Sequence, residues 1–103
     1  MTRGFELLAR NVRLGPLEID VVARKGELAV IVEVRTRGPG SYVRALASVD
    51  AKKRATLVRG AQRLWRERLS KMAGVERVRI DVAAVTFDGA GAHVEYIEAA
   101  VTA

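Results

Sequence analysis

Two β-branched runs joined by a tight turn constrain this chain more than any other feature. Leu17–Arg24 (LEIDVVAR) and Glu27–Thr36 (ELAVIVEVRT) flank the dipeptide Lys25-Gly26. Runs of this kind around a glycine-containing turn predict an antiparallel hairpin. A Lys25-Gly26 loop pairs Arg24 with Glu27, and sets Val21 opposite Val30 and Ile19 opposite Val32. Those four residues make one apolar face. Glu18, Asp20, Glu33 and Arg35 fall on the other, because side chains alternate along a strand. In this register Glu18 faces Glu33, with Asp20 as diagonal neighbour.

Like charges directly across a strand pair repel, so a cation is expected between them. A divalent metal, Arg35 and a lysine from the helix are the candidates. Converging carboxylate oxygens suit Mg²⁺ or Mn²⁺, which would polarise a phosphate and activate water for phosphodiester hydrolysis. The plain alternative is a solvated face with ion pairs of the Glu18–Arg35 type, each contributing little. Spacing alone leaves the choice open.

Around the hairpin, Phe5–Arg13 reads as a strand, with a short helix as the alternative, ended by Leu14-Gly15-Pro16, and Arg37–Tyr42 (RGPGSY) as a loop. From Ser48 the period changes. Ser48 is the expected N-cap, with Asp50 in the first turn. Leu57, Val58, Ala61, Leu64, Trp65, Leu69 and Met72 then share one side of a helix ending near Ala73-Gly74. Arg77–Phe87 is a strand, Asp88–Gly91 a turn, and His93–Ile97 a final strand. The order is βββαββ, which predicts an α/β fold: a mixed β-sheet with one long helix packed on it. With 103 residues, half of them hydrophobic, residues 1–103 are expected to form a single domain.

The helix carries a second signal. Lys52, Arg59, Arg63 and Arg66 cluster opposite the apolar arc, with Thr56 among them. Such a stripe can follow a phosphate backbone without reading its sequence. A solvated helix face is the ordinary reading of one stripe. Here Arg37 and Arg44 in the loop, and Lys53 at the helix start, extend the positive region towards the carboxylates. The formal charge is +6 and the isoelectric point near 10.5, so an anionic partner is expected, nucleic acid first. Arg54 and Arg68 fall near the apolar arc, where long side chains snorkel. Trp65 reads as core. Tyr42 could stack on a base, although one aromatic in a basic loop is a weak signal.

Other chemistries find little support. There is no cysteine and a single histidine, His93, which excludes disulfides and thiolate chemistry and leaves His93 without a second ligand. Ser41, Ser48 and Ser70 have no triad partners. Asp81, in an otherwise apolar strand, is expected to pair with a neighbouring arginine, the alternative being a place near the carboxylate site. Met1–Arg13 has no apolar stretch of signal-peptide type, and no apolar run is long enough to cross a bilayer. The expected setting is therefore the cytoplasm, without membrane contact.

Taken in order, GFELLARNVR (4–13), LEIDVVARKG (17–26), VEVRTR (32–37), SVDAKKRATLVRGAQRLW (48–65), RIDVAAV (79–85) and HVEYIEAA (93–100) resemble the YraN family of small bacterial proteins. That resemblance implies the restriction-endonuclease-like, PD-(D/E)XK fold. It places Asp20 at the fold's metal-binding aspartate, Glu33 at the acidic position of its E-x-K element, and Arg35 at the lysine position. Lys53 matches a lysine at the start of the family's helix, and Asp81 the aspartate of a strand motif. Arg35 remains protonated, so it can stabilise charge but cannot act as a general base. Lys53 is the amine that would replace the missing lysine. Relatives usually begin with a helix carrying a G-E-x-x-A element. This chain starts at the strand after it, which implies a shortened start or a homodimer covering the surface so left.

Three functions follow as expectations: a Mg²⁺- or Mn²⁺-dependent nuclease using Asp20, Glu33 and Glu18, a non-catalytic nucleic-acid-binding module, or a protein-partner module. They are separated by cleavage, by salt-dependent binding, and by nuclease-insensitive capture of a protein.

Overall fold

The computed structural model describes residues 4–37 and 49–101. Three strands, β1 (Glu6–Leu14), β2 (Leu17–Lys25) and β3 (Leu28–Arg37), lead to helix α1 (Ala51–Glu67) and a 3-10 turn at Leu69–Lys71. Strands β4 (Arg77–Asp88) and β5 (Gly91–Val101) complete the chain. The sheet runs β1-β2-β3-β4-β5, and all neighbours are antiparallel except β3 and β4. The parallel pair follows from the connection, since β3 reaches β4 through a crossover containing α1. The expected α/β fold and βββαββ order are both present. No helix among the described residues is long and apolar enough to cross a membrane.

α1 lies on one face of the sheet. Leu57, Ala61 and Leu64 pack with Val12, Leu14, Ile19, Val22, Ala29, Ile31, Ile80, Val82 and Ala84 in the main core. Gly60 permits close approach, because a Cβ there would already touch Ile19. On the opposite face Val30, Val32 and Ala83 form a smaller cluster with Phe5, Val21, Leu28 and Tyr96. β3 thus buries apolar residues on both sides, as a central strand with a parallel neighbour does.

Several boundaries differ from expectation. Asp50, not Ser48, caps α1: its Oδ1 accepts the Lys53 N–H at 2.8 Å. Ser48, Ser41, Tyr42 and Arg44 lie outside the described residues. α1 ends at Glu67 and gives way to the 3-10 turn, well before Ala73-Gly74. Apolar periodicity continues through Leu69 and Met72 because both still pack on the core, although the backbone is no longer α-helical. β5 is longer than His93–Ile97, since β4 supplies partners from Gly91 to Val101.

The hairpin turn is Gly26-Glu27, with Lys25 opposite Leu28. Gly26 has φ +59° and stands first in the turn, where a primed hairpin turn requires glycine. The register is therefore displaced by two residues: Val21 opposes Val32 and Ala23 opposes Val30. Glu18 does not face Glu33. Instead it meets Arg13 across β1, with Arg13 Nη2 3.4 Å from its Oε2. The predicted apolar face is also divided. Ile19 packs beneath α1 while Val21 packs on the opposite face, so strand alternation breaks at Asp20.

Both edge strands are irregular. β1 shifts register between Leu7 and Ala9, and β5 shifts opposite Ile80–Val82. Asn11 (φ +52°) and Ala99 (φ +50°) adopt left-handed backbone conformations in these strands. Such distortions interrupt the regular pairing edge that an outer strand would otherwise offer to another chain.

Candidate functional site

The break at Asp20 creates the site. Val21–Val32 is the last pair in the β2–β3 ladder, and Asp20 and Glu33 are the next residues outward on the two strands. The Asp20 Oδ2 accepts the Val34 N–H at 2.9 Å, so a side-chain carboxylate replaces a strand carbonyl as the ladder ends. This bond holds Asp20 beside β3.

Glu33 continues the helix-facing row of β3 beyond Ala29 and Ile31. It is only 4 % exposed. Lys53 reaches it from the first turn of α1, with Nζ 3.1 Å from Glu33 Oε1. The Arg35 Nη1 lies 3.7 Å from the same oxygen. Burial raises the Glu33 pKa above the ordinary glutamate value, and the nearby Asp20 charge raises it further. Lys53, by hydrogen bond and charge, and Arg35, by charge, oppose that rise without cancelling it. Of the three candidate cations, Arg35 and a helix lysine, Lys53, both lie beside Glu33. Asp50 links the cluster to the helix, since it caps the backbone N–H of Lys53.

Glu18 stands apart, on β1's side with Arg13. Among the described residues no three His, Cys, Asp or Glu side chains are grouped as a metal-binding set. Asp81 is also separate. Its neighbours Ile80 and Val82 face α1, so Asp81 points to the opposite side of the sheet. It is 0 % exposed and accepts two bonds from Arg79 (2.8 and 2.9 Å), one from the Tyr96 hydroxyl (2.5 Å) and one from Ala99 N–H (2.8 Å). The expected arginine pairing is present. Its hydrogen bond to Asp81 is the main reason that the Arg79 pKa is raised. Sequence reasoning missed Tyr96 and the Ala99 bulge. The signal for Tyr96 was its position in β5, whereas the bulge had no signature.

The basic stripe is divided. Arg63 turns towards the β1–β2 turn: Nη1 donates to the Leu14 carbonyl at 3.0 Å, and Nε to Glu67 at 2.7 Å. Arg54 is tied to the Val49 carbonyl at 3.2 Å. Arg59 bonds the Thr56 hydroxyl at 3.2 Å. Among the described residues Lys52, Arg59 and Arg66 form no ion pair. Arg37 ends β3.

With this arrangement in view, comparison with known proteins is decisive about kinship. A family described as "Uncharacterised protein family UPF0102" matches residues 1–85. The chain belongs to the UPF0102 family. A UPF0102 protein of Sorangium cellulosum is 60 % identical over 99 residues, covering 95 % of this chain and 69 % of its own length. One from Alkalilimnicola ehrlichii is 47 % identical over 88 residues, covering 84 % of this chain and 66 % of its own. A third, from Methylococcus capsulatus, is 42 % identical over 101 residues, covering 98 % and 79 %. This UPF0102 chain thus spans about two thirds of the length of the first two relatives. The resemblance to the YraN family read from the sequence is the same kinship. Asp20, Glu33, Arg35 and Lys53 all lie within the matched residues.

Proposed function

We propose that this UPF0102 protein binds nucleic acid through α1 and presents a phosphodiester to the Asp20–Glu33 pair, with metal-dependent hydrolysis as its reaction. The observation that carries this reading is the convergence of Asp20, Glu33 and Lys53, with Lys53 Nζ 3.1 Å from Glu33. Two hard-oxygen donors on adjacent strands fit Mg²⁺ or Mn²⁺, which commonly take one or two carboxylates and complete their coordination with phosphate and water. When bound by Asp20 and Glu33, such an ion would polarise the phosphate and lower the pKa of a bound water.

The chain's own groups have distinct work in this scheme. Asp20 is positioned by the Val34 N–H, so its carboxylate is oriented before a ligand arrives. Lys53 and Arg35 place positive charge where charge builds on a phosphate in the transition state. Lys52, Arg59 and Arg66 hold the backbone by counterion-releasing contacts. Arg35 keeps its proton, so no base is assigned to it.

A second reading, binding without cleavage, is favoured by one observation. Lys53 and Arg35 already neutralise Glu33, and no third acid joins the pair among the described residues. One experiment separates them. Labelled single-stranded, duplex and branched oligonucleotides are incubated with the protein and Mg²⁺ or Mn²⁺, beside Asp20→Asn and Glu33→Gln. Cleavage abolished by both substitutions supports hydrolysis. Salt-sensitive binding without cleavage leaves the second reading. Absence of binding at low salt defeats both.

A further inference from the structure

Beside α1, away from Asp20 and Glu33, the described residues leave part of the sheet uncovered. A groove of about 980 Å³ runs between the C-terminal half of α1 and strands β4 and β5. Ala61, Trp65, Arg66, Val78, Ile80 and Val101 are among its lining residues. Trp65 was expected in the core. It sits at the margin of the apolar arc, half-buried against the core, and contributes to the groove wall. We infer that this groove receives unpaired bases, so that the nucleic acid engaged here is a strand with exposed bases rather than an unbroken duplex. The inference rests on the nucleic-acid reading above and deepens it by naming the substrate class.

Size and charge select the occupant. The volume lies at the upper end of the range for small-ligand pockets, about 300–1,000 Å³, and the wall combines Trp65 and aliphatic groups with Gln62, Ser70, Glu76 and the arginines Arg66, Arg77 and Arg79. Bases stack on aromatic side chains irrespective of sequence. In a continuous duplex both faces of each base are already stacked and its edges are paired, so only an unpaired base is free to enter. The phosphates have their own track. Lys52, Arg59 and Arg66 recur every seven residues, which sets them about 10 Å apart along the outer side of α1. Arg66 ends that row at the groove itself. A backbone following the row therefore arrives where its bases meet an apolar wall. An acidic peptide would fill the groove but would leave most of this row without a counter-charge, so an extended polyanion is the better fit.

Trp65 is the sole tryptophan, and its fluorescence reports occupancy directly. The intact chain is titrated in EDTA at low salt with a single-stranded dodecamer, the corresponding blunt duplex, and an acidic amphipathic peptide. The dodecamer should bind at least about tenfold more tightly than the duplex and quench Trp65. Trp65→Leu should weaken dodecamer binding about tenfold, the loss of roughly one stacked base, with duplex affinity changed less than about twofold. Gln62→Glu, an exposed change at the groove, should weaken the dodecamer selectively even if Trp65→Leu folds poorly. Equal affinities without quenching would overturn the groove assignment and leave nucleic-acid binding standing. Failure to bind either nucleic acid would overturn both. Quenching by the peptide alone would assign the groove to a protein partner and overturn the inference.

Discussion

Lys53 and Glu33 meet at 3.1 Å across the junction of helix and sheet, with the carboxylate almost wholly buried and the ammonium one-third exposed. The pair joins the first turn of α1 to the end of the β2–β3 ladder. Because Lys53 favours the ionised form of Glu33, Lys53→Met should move the Glu33 titration to higher pH. Carbon-detected NMR of the glutamate carboxyls in wild type and variant would check this. An unchanged Glu33 titration would show that the contact does not govern its ionisation.

The buried carboxylate also predicts how stability depends on pH. Burial raises the folded-state pKa of Glu33 above its unfolded value, so between those two values the folded state binds more protons. The stabilising contribution is then fully present below the unfolded pKa and is lost as pH rises through the folded one. Glu33→Gln removes this titration. The variant's stability relative to wild type should be greatest at neutral pH, decline as pH falls from the folded to the unfolded pKa, and level off below it. Urea unfolding at a series of pH values measures the difference.

Asp20 has separable roles. Alanine leaves the Val34 N–H without its partner and should cost about 1 kcal/mol. Asparagine keeps an acceptor oxygen and should remain within about 0.5 kcal/mol of wild type. Both should abolish metal-dependent cleavage if the proposed reaction holds. Equal destabilisation by the two substitutions would contradict the hydrogen-bond role.

On the opposite face, Asp81 is the most demanding residue to replace. Asp81→Ala leaves Arg79 only the longer contact with Glu98, at 3.9 Å, and deprives the Tyr96 hydroxyl and Ala99 N–H of this acceptor. Removing one member of a buried ion pair typically costs about 3–5 kcal/mol, and that loss is expected here. Tyr96→Phe removes one bond to a charged group and should cost about 1.5–3 kcal/mol. Chemical denaturation with far-UV circular dichroism would measure both. A loss under about 1 kcal/mol for Asp81→Ala would be inconsistent with this network.

By itself the sequence determined the order of elements, the mixed sheet and helix, and the residues able to form a site. Those properties are local: alternation in LEIDVVAR and ELAVIVEVRT, helical periodicity through Leu57, Ala61 and Leu64, and turn chemistry at Gly26 and Gly91. The resemblance singled out Asp20 and Glu33. Tertiary structure decided their partners. The hairpin turn used Gly26-Glu27, and a slip of two residues preserves the alternation of faces, so the hydrophobic pattern could not distinguish the registers. That slip removed Glu18 from Glu33, while the break in alternation at Asp20 brought Asp20's carboxylate onto β3. Glu33 became buried where α1 meets the sheet, and that burial raised its proton affinity, while Lys53 opposes the rise. No local pattern encodes the position at which a helix crosses a sheet. It is set by packing side chains distant in sequence, such as Gly60 against Ile19.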